Sequence, residues 1–229
     1  MPNSAIDFTA ARMLMVNGQV RPNKVTDTRV LDAMRRLPRE LFVPADRAAL
    51  AYCDEDVPLG NGRYLVEPMV IARMVQIAAV QDGDRALVVG SGSGYGAALL
   101  AACGAAVTAL EQDTALIALA RAVLPVVCAG ITLVAGITMV EGPLADGWNA
   151  TGPYDVILIE GAVPEIPPAL LAQLRSDGGR LVTVLKRGAR VGQAVLCRSA
   201  GGGRVDPHPV FDCAIPVLPM LKTAPGFVF

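Results

Sequence analysis

Four residues of this chain have types and spacing that suit ligand chemistry: Gly90, Gly92, Gly94 and, further on, Glu111. Glycine permits backbone dihedrals and close approaches that side chains forbid. An acidic residue roughly 20 positions past a first glycine is where a ribose-binding carboxylate belongs in a nucleotide-binding α/β unit. The dinucleotide fingerprint is G-x-G-x-x-G. Here the glycines run G-x-G-x-G, and Tyr95 stands where a third glycine would be expected. Strand-to-helix turns also use glycine for packing alone, and Glu111 on a solvated turn is the plainer reading of that residue. The order strand, glycine turn, helix, strand, acid favours a nucleotide-like ligand.

Other reactive residues are sparse. His208 is the single histidine, it lies between Pro207 and Pro209, and no nucleophile motif accompanies it. Cys53, Cys103, Cys128, Cys197 and Cys213 are scattered, odd in number and without a C-x-x-C pair. They read as free thiols in a reducing compartment. A metal site would need more ligands of the right type, so none is expected.

The glycines need elements to aim them. Arg85 to Val89 (RALVV) has the length and β-branched content of a buried strand, and Tyr95 to Ala102 (YGAALLAA) is rich in helix formers. Such a junction puts unpaired N–H groups and a helix N-terminus at one point. Val107 to Leu110 reads as the next strand, ending at Glu111. Asp113 suits the cap of a helix over Thr114 to Leu124. Ile131–Val134, Asp155–Glu160 and Gly179–Leu185 read as further strands, with a helix over Pro167–Leu174. The alternation predicts a parallel sheet covered by helices. Gln193–Ser199 and Val205–Val217, joined by Gly201-Gly202-Gly203, predict a closing antiparallel hairpin.

Ahead of the first glycine the signals are local. Ala10–Val16 suits a helix turn or two, which Gln19–Asn23 should break. Asp27 is a plausible N-cap for Thr28–Leu37, with Val30, Leu31, Met34 and Leu37 on one face. Residues 52–68 are turn-rich and read either as a lid over a pocket or as a plain connector. Pro68 suits the first turn of a helix continuing over Met69–Val80.

Composition narrows the classes. The chain has 229 residues, 53% hydrophobic and 18% charged, with a formal net charge of −1 from 20 basic and 21 acidic residues. A single domain over 1–229 is expected, with 1–84 as a helical cap and substrate-loop region and 85–229 as the α/β core. No basic patch of the kind that nucleic acid requires is visible. No apolar run reaches the ~18 residues of a membrane span. The first residues lack the basic and then apolar pattern of a secretory signal, so a cytoplasmic protein without membrane or nucleic-acid partners is expected.

Several strings together carry a resemblance: Val43-Pro44, Ala51-Tyr52-x-Asp54, Val57-Pro58-Leu59-Gly60-x-Gly62, Gly90 to Tyr95, Pro153-Tyr154-Asp155, Pro164 to Pro167, and Gly178 to Val182. In this order, over nearly the whole chain, they resemble the protein-L-isoaspartate O-methyltransferases. The resemblance implies a class I methyltransferase fold: α/β, Rossmann-like and doubly wound, with a mostly parallel seven-stranded sheet, an N-terminal helical cap and a C-terminal antiparallel hairpin. It implies S-adenosyl-L-methionine as cofactor, S-adenosyl-L-homocysteine as product, and isoaspartyl residues of damaged proteins and peptides as substrates. Cofactor contacts are implied for Gly90, Ser91, Gly92, Ser93, Gly94, Glu111, Gln112, Gly142, Pro143, Leu144 and Glu160. The substrate carboxylate is implied at Gly60, Gly62, Tyr64, Leu65 and Val66.

The departures from that pattern are specific. Where the family reads roughly G-Q-T-I-S-Q-P, this chain has Gly62-Arg63-Tyr64-Leu65-Val66-Glu67-Pro68. Val66 thus stands at the position of a carboxylate-binding serine, without its hydroxyl. Val88 and Pro143 replace two acidic positions near the cofactor. Three functions are therefore weighed: an isoaspartyl methyltransferase or a relative with a shifted acceptor, a methyltransferase-fold binding or regulatory protein, and a nicotinamide oxidoreductase, whose spacing fails at Tyr95.

Overall fold

The computed structural model describes residues 6–130, 136–188, 190–200 and 205–221. Helix α1 (Phe8–Met15) starts at Asp7, whose carboxylate accepts the Ala10 N–H at 3.0 Å. The break expected at Gln19–Asn23 is not there. The chain stays helical through a π turn, Val16–Val20, and a 3-10 turn, Arg21–Asn23, and ends at Lys24 with φ 66°. Pro22 falls in the first turn of that last segment, where a missing N–H costs nothing, and Val16 and Val20 are fully buried. Helix α2 (Thr28–Arg36) is capped by Asp27 as expected, and buries Val30, Leu31, Ala33 and Met34.

Residues 52–68 hold more order than their composition suggests. Strands β1 (Val57–Gly60) and β2 (Arg63–Leu65) pair antiparallel, Val57 opposite Leu65. The turn between them puts Asn61 at φ 50° and Gly62 at φ 70°, the positive φ pair that a tight hairpin requires. Helix α3 (Pro68–Ala78) follows at once, with Pro68 in its first turn.

From Arg85 the main sheet forms: β3 (Arg85–Val89), α4 (Tyr95–Ala102), β4 (Ala106–Glu111), α5 (Thr114–Gly130), β5 (Ile137–Glu141), β6 (Val156–Val163), α6 (Pro168–Ala172), β7 (Asp177–Leu185), β8 (Gly192–Ala200) and β9 (Pro207–Cys213). The strands lie in the order β5-β4-β3-β6-β7-β8-β9, parallel except that β8 runs against both neighbours. The order reverses at β3, since the chain steps outward to β4 and β5 and then returns to β6. Ligands of open α/β sheets bind beyond the carboxyl ends of the strands at such a point, and the Gly90–Gly94 turn sits there.

Two expectations shift. Helix α5 passes Pro125 instead of stopping at Leu124. One missing N–H is outweighed where Leu124 and Val127, on either side, are both buried. The strand expected at Ile131–Val134 lies outside the described residues, as does the Gly201–Gly203 turn; the strand pairing with β4 is Ile137–Glu141.

The sheet separates two apolar layers. Ala86 and Val88 face the layer built from α2, α3, α4 and part of α5, whereas Leu87 and Val89 face Leu144, Tyr154, Leu170 and Leu218. Helix α4 is buried from Tyr95 to Ala101, which explains its lack of a polar face. The edge strand β9 carries Pro207 and Pro209 opposite Cys197 and Val195. No helix among the described residues is long and apolar enough to cross a membrane.

Candidate active site

The glycine turn is built as a ligand cradle. Gly90 leaves β3 at φ 68° and Gly94 caps α4 at φ 95°, conformations that side-chain-bearing residues rarely adopt. The N–H groups of Gly90 and Ser91 bind the Leu110 carbonyl at 3.0 and 3.1 Å, which ties the turn to β4. The next N–H, of Gly92, donates to Glu111 Oε2 at 2.8 Å. The glycines and the acid are thus in direct contact. Gly142 N–H donates to the Glu111 carbonyl at 3.1 Å, and Leu144 N–H to Gln112 Oε1 at 3.2 Å. Gln112, Gly142, Pro143 and Leu144 therefore line up with Glu111 at the carboxyl ends of β4 and β5.

Arg63 reaches into this cradle from β2. Its Nη1 donates to both Glu111 oxygens, at 2.7 and 2.9 Å, and its Nη2 donates to the Gly90 carbonyl at 2.8 Å. Both side chains are buried, 2% and 0% exposed. The sequence pattern marks Arg63 only as a departure from a family string. Its contact with a residue 48 positions away has no local signature.

The substrate-loop residues surround the same point. Gly62, Tyr64 and Val66 line a small cavity with Arg63, Glu160, Gly161 and Leu218. Leu65, between Tyr64 and Val66, does not line that cavity and is buried in the apolar layer against the helices, where Val66 also packs. Gly60 closes β1 at the exposed rim. Arg39, a residue that no pattern singled out, anchors the loop from behind. Its Nη2 donates to the Val66 carbonyl and its Nε to the Ala51 carbonyl, both at 2.6 Å, and its guanidinium lies 4.7 Å from the Tyr95 ring centre. Glu67 does not line the cavity, and burial, with Asp56 and Asp54 nearby, raises its carboxyl to about 7.

Glu160, near the end of β6, is a buried carboxyl whose Oε2 has no partner. Burial pushes it up to about 8, against the pull of Arg63 and Arg39. The Ser91 and Ser93 hydroxyls are buried and unpartnered as well. Buried polar groups are nearly always hydrogen-bonded, so three such atoms around one glycine turn fit a polar ligand bound there.

The cradle is closed at its centre. A Cβ placed on Gly90 would meet Leu218 at 3.2 Å and Arg63 Nη2 at 3.2 Å, and one on Gly92 would meet Leu59 at 3.4 Å. Leu218 is held across the site by its N–H to the Ala162 carbonyl at 2.9 Å. The remaining cavity is ≈ 10 Å³, at the lower limit for one water, whereas drug-sized ligands occupy roughly 300–1,000 Å³. A roomier cleft of ≈ 250 Å³ lies around Leu185, Arg187, Val191 and Pro207, towards the β8–β9 edge.

Comparison with known proteins gives this geometry a context. Residues 12–205 match the sequence model of protein-L-isoaspartate(D-aspartate) O-methyltransferase. A protein-L-isoaspartate O-methyltransferase of Koribacter versatilis is 38% identical over 206 residues, covering 90% of this chain and 89% of that one. The protein of the same name from Methanoculleus marisnigri is 39% identical over 210 residues, covering 89% and 90%. Among solved structures, a putative protein-L-isoaspartate O-methyltransferase from Plasmodium falciparum, in complex with S-adenosyl-L-homocysteine, shares the fold. Its TM-score is 0.74 at 18% identity, over 91% of this chain and 98% of that one.

Proposed function

Because the chain belongs to the protein-L-isoaspartate(D-aspartate) O-methyltransferase family, we propose that it transfers a methyl group from S-adenosylmethionine to the carboxylate of isoaspartyl residues in damaged proteins and peptides. The observation that carries this reading is the Gly92–Glu111 contact at the topological switch point of a class I methyltransferase sheet. Glu111 takes the ribose hydroxyls, Gly90–Gly94 approach the rest of the cofactor, and Gln112, Gly142, Pro143 and Leu144 flank its base. The unpartnered Ser91 and Ser93 hydroxyls fit a polar group arriving at this turn. When bound, the cofactor supplies an electrophilic methyl group on a sulfonium.

The residues of this chain then have a positioning task. A carboxylate with an ordinary pKa near 4 is ionised at pH 7, so the acceptor needs no general base. Holding it in line accounts for most of the rate gain. Gly60, Gly62, Tyr64, Leu65 and Val66 form the loop that receives the acceptor, with Arg39 fixing the loop backbone at Val66. Val66 brings no hydroxyl to that task. The five cysteines are all free thiols, which supports a reducing, cytoplasmic location.

A second reading, a methyltransferase fold that binds without catalysing, is favoured by one observation: Arg63 already fills the Glu111 carboxylate. Two measurements separate them. Titration calorimetry should detect S-adenosylhomocysteine binding, and labelled methyl should pass to an isoaspartyl peptide but not to its aspartyl counterpart. Binding without transfer selects the second reading. No binding at millimolar ligand removes both.

A further inference from the structure

The Glu111 carboxylate has no room for another donor. Oε1 accepts from Arg63 Nη1 at 2.7 Å, Gln112 N at 2.8 Å and Asp113 N at 3.0 Å; Oε2 accepts from Arg63 Nη1 at 2.9 Å and Gly92 N at 2.8 Å. A carboxylate offers about four lone-pair sites. Three of its five contacts come from backbone N–H groups of the glycine turn and the end of β4, and these cannot leave without unravelling both. Only Arg63 is a side chain that can move. A ribose diol reaching Glu111 must therefore displace the guanidinium, from Glu111 and from the Gly90 carbonyl together.

The displaced cation stays near. Arg63 belongs to β2, which is paired to β1 through Val57–Leu65 and Pro58–Tyr64, so its backbone remains at the mouth of the site. Its side chain lines the same cavity as Tyr64, Val66, Glu160 and Gly161. Among the described residues that line that cavity, Glu160 is the one carboxyl. Burial disfavours its charged form, which weakens it as a counter-ion. The strongest partner for a freed guanidinium there is an incoming carboxylate, which it can bind through two parallel hydrogen bonds.

We propose that Arg63 is a substrate-positioning residue kept in reserve: the cofactor ribose takes Glu111 from it, and the released guanidinium then holds the acceptor carboxylate in place of the hydroxyl absent at Val66. The inference rests on the methyltransferase reading above. It makes binding ordered, cofactor first, and makes the same side chain a competitor of one ligand and a partner of the other.

The test uses the full-length protein and the variants Arg63→Gln and Arg63→Lys. Calorimetry with S-adenosylhomocysteine should show Arg63→Gln binding at least tenfold more tightly than the unaltered chain. Arg63→Lys, which retains one charged contact, should fall between them. With saturating cofactor, the KM for an isoaspartyl peptide should rise tenfold or more in Arg63→Gln, with a smaller change in kcat and partial recovery in Arg63→Lys. A cooperatively melting Arg63→Gln that binds S-adenosylhomocysteine no more tightly than the parent overturns the proposal, and so does an unchanged peptide KM. If Arg63→Gln does not fold, Arg63→Lys decides by the same two readouts. Failure of every form, the parent included, to bind S-adenosylhomocysteine at millimolar concentration overturns the methyltransferase reading itself.

Discussion

Removing the charge of Glu111 should cost this fold more than removing that of Arg63, although the two form one ion pair. In Glu111→Gln, Arg63 stays buried, 2% exposed, with only neutral acceptors left to it, the Gly90 carbonyl at 2.8 Å and the new amide oxygen. Breaking a buried pair from one side leaves an uncompensated charge and costs about 3–5 kcal/mol. In Arg63→Gln, Glu111 keeps three backbone N–H donors, from Gly92, Gln112 and Asp113, at 2.8 to 3.0 Å. The loss is then that of charged hydrogen bonds, about 1.5–3 kcal/mol. The double variant buries no charge, so its cost should fall short of the sum of the two by about 1–3 kcal/mol. Urea unfolding, followed by the fluorescence of the single tryptophan, Trp148, and by circular dichroism, gives these values if the slopes agree. Equal costs for the two single variants, or strict additivity in the double, would refute the claim that backbone donors alone sustain the Glu111 charge.

Two further outcomes are expected. Val66→Ser combined with Tyr64→Thr returns hydroxyls to the loop and should raise kcat/KM toward an isoaspartyl peptide by roughly tenfold, with the aspartyl peptide unchanged; a folded, cofactor-binding variant without that gain would remove Val66 from the acceptor site. Glu160 sets a pH dependence. Its carboxyl is raised to about 8 by burial, so between its unfolded value near 4.5 and pH 8 the folded chain holds a proton that the unfolded chain releases. Stability should therefore fall as pH rises through this window, by at most about 1.4 kcal/mol per pH unit from this group. The stability difference between Glu160→Gln and the parent should widen from pH 5 to pH 8, and a flat difference across that range would contradict the burial of a neutral carboxyl.

Local patterns were readable in this chain wherever one residue range does one job. Arg85–Val89 alternates between two apolar layers and is short and β-branched, so the strand is visible without any partner. Asp27 and Asp113 sit one residue ahead of apolar periodicity, and both cap helices. The misreadings arose where long-range burial overrode a local breaker. Gln19–Asn23, with Pro22, reads as a break and the helix from Thr114 as ending at Leu124, yet the buried Val16 and Val20, and Leu124 and Val127, keep the backbone helical around Pro22 and Pro125. The β1–β2 hairpin was hidden because its strands are short and one contains Pro58. At the site, the glycines and Glu111 were legible from spacing. The positions of Arg39 and Arg63 depend on side chains that cross to distant segments, and no periodicity encodes such a reach.

The prolines of β9 bear on how copies of this chain meet. A strand at the border of a sheet is a template for another chain, because its outer N–H and C=O groups lack partners. Pro207 and Pro209 fall in register with Cys197 and Val195, and neither carries an N–H. A foreign strand laid along β9 would find acceptors without their alternating donors. Intermolecular sheet extension at this border is thereby discouraged by the sequence of the strand itself. Pro207→Thr and Pro209→Thr would give that border two N–H groups it lacks and make it more adhesive.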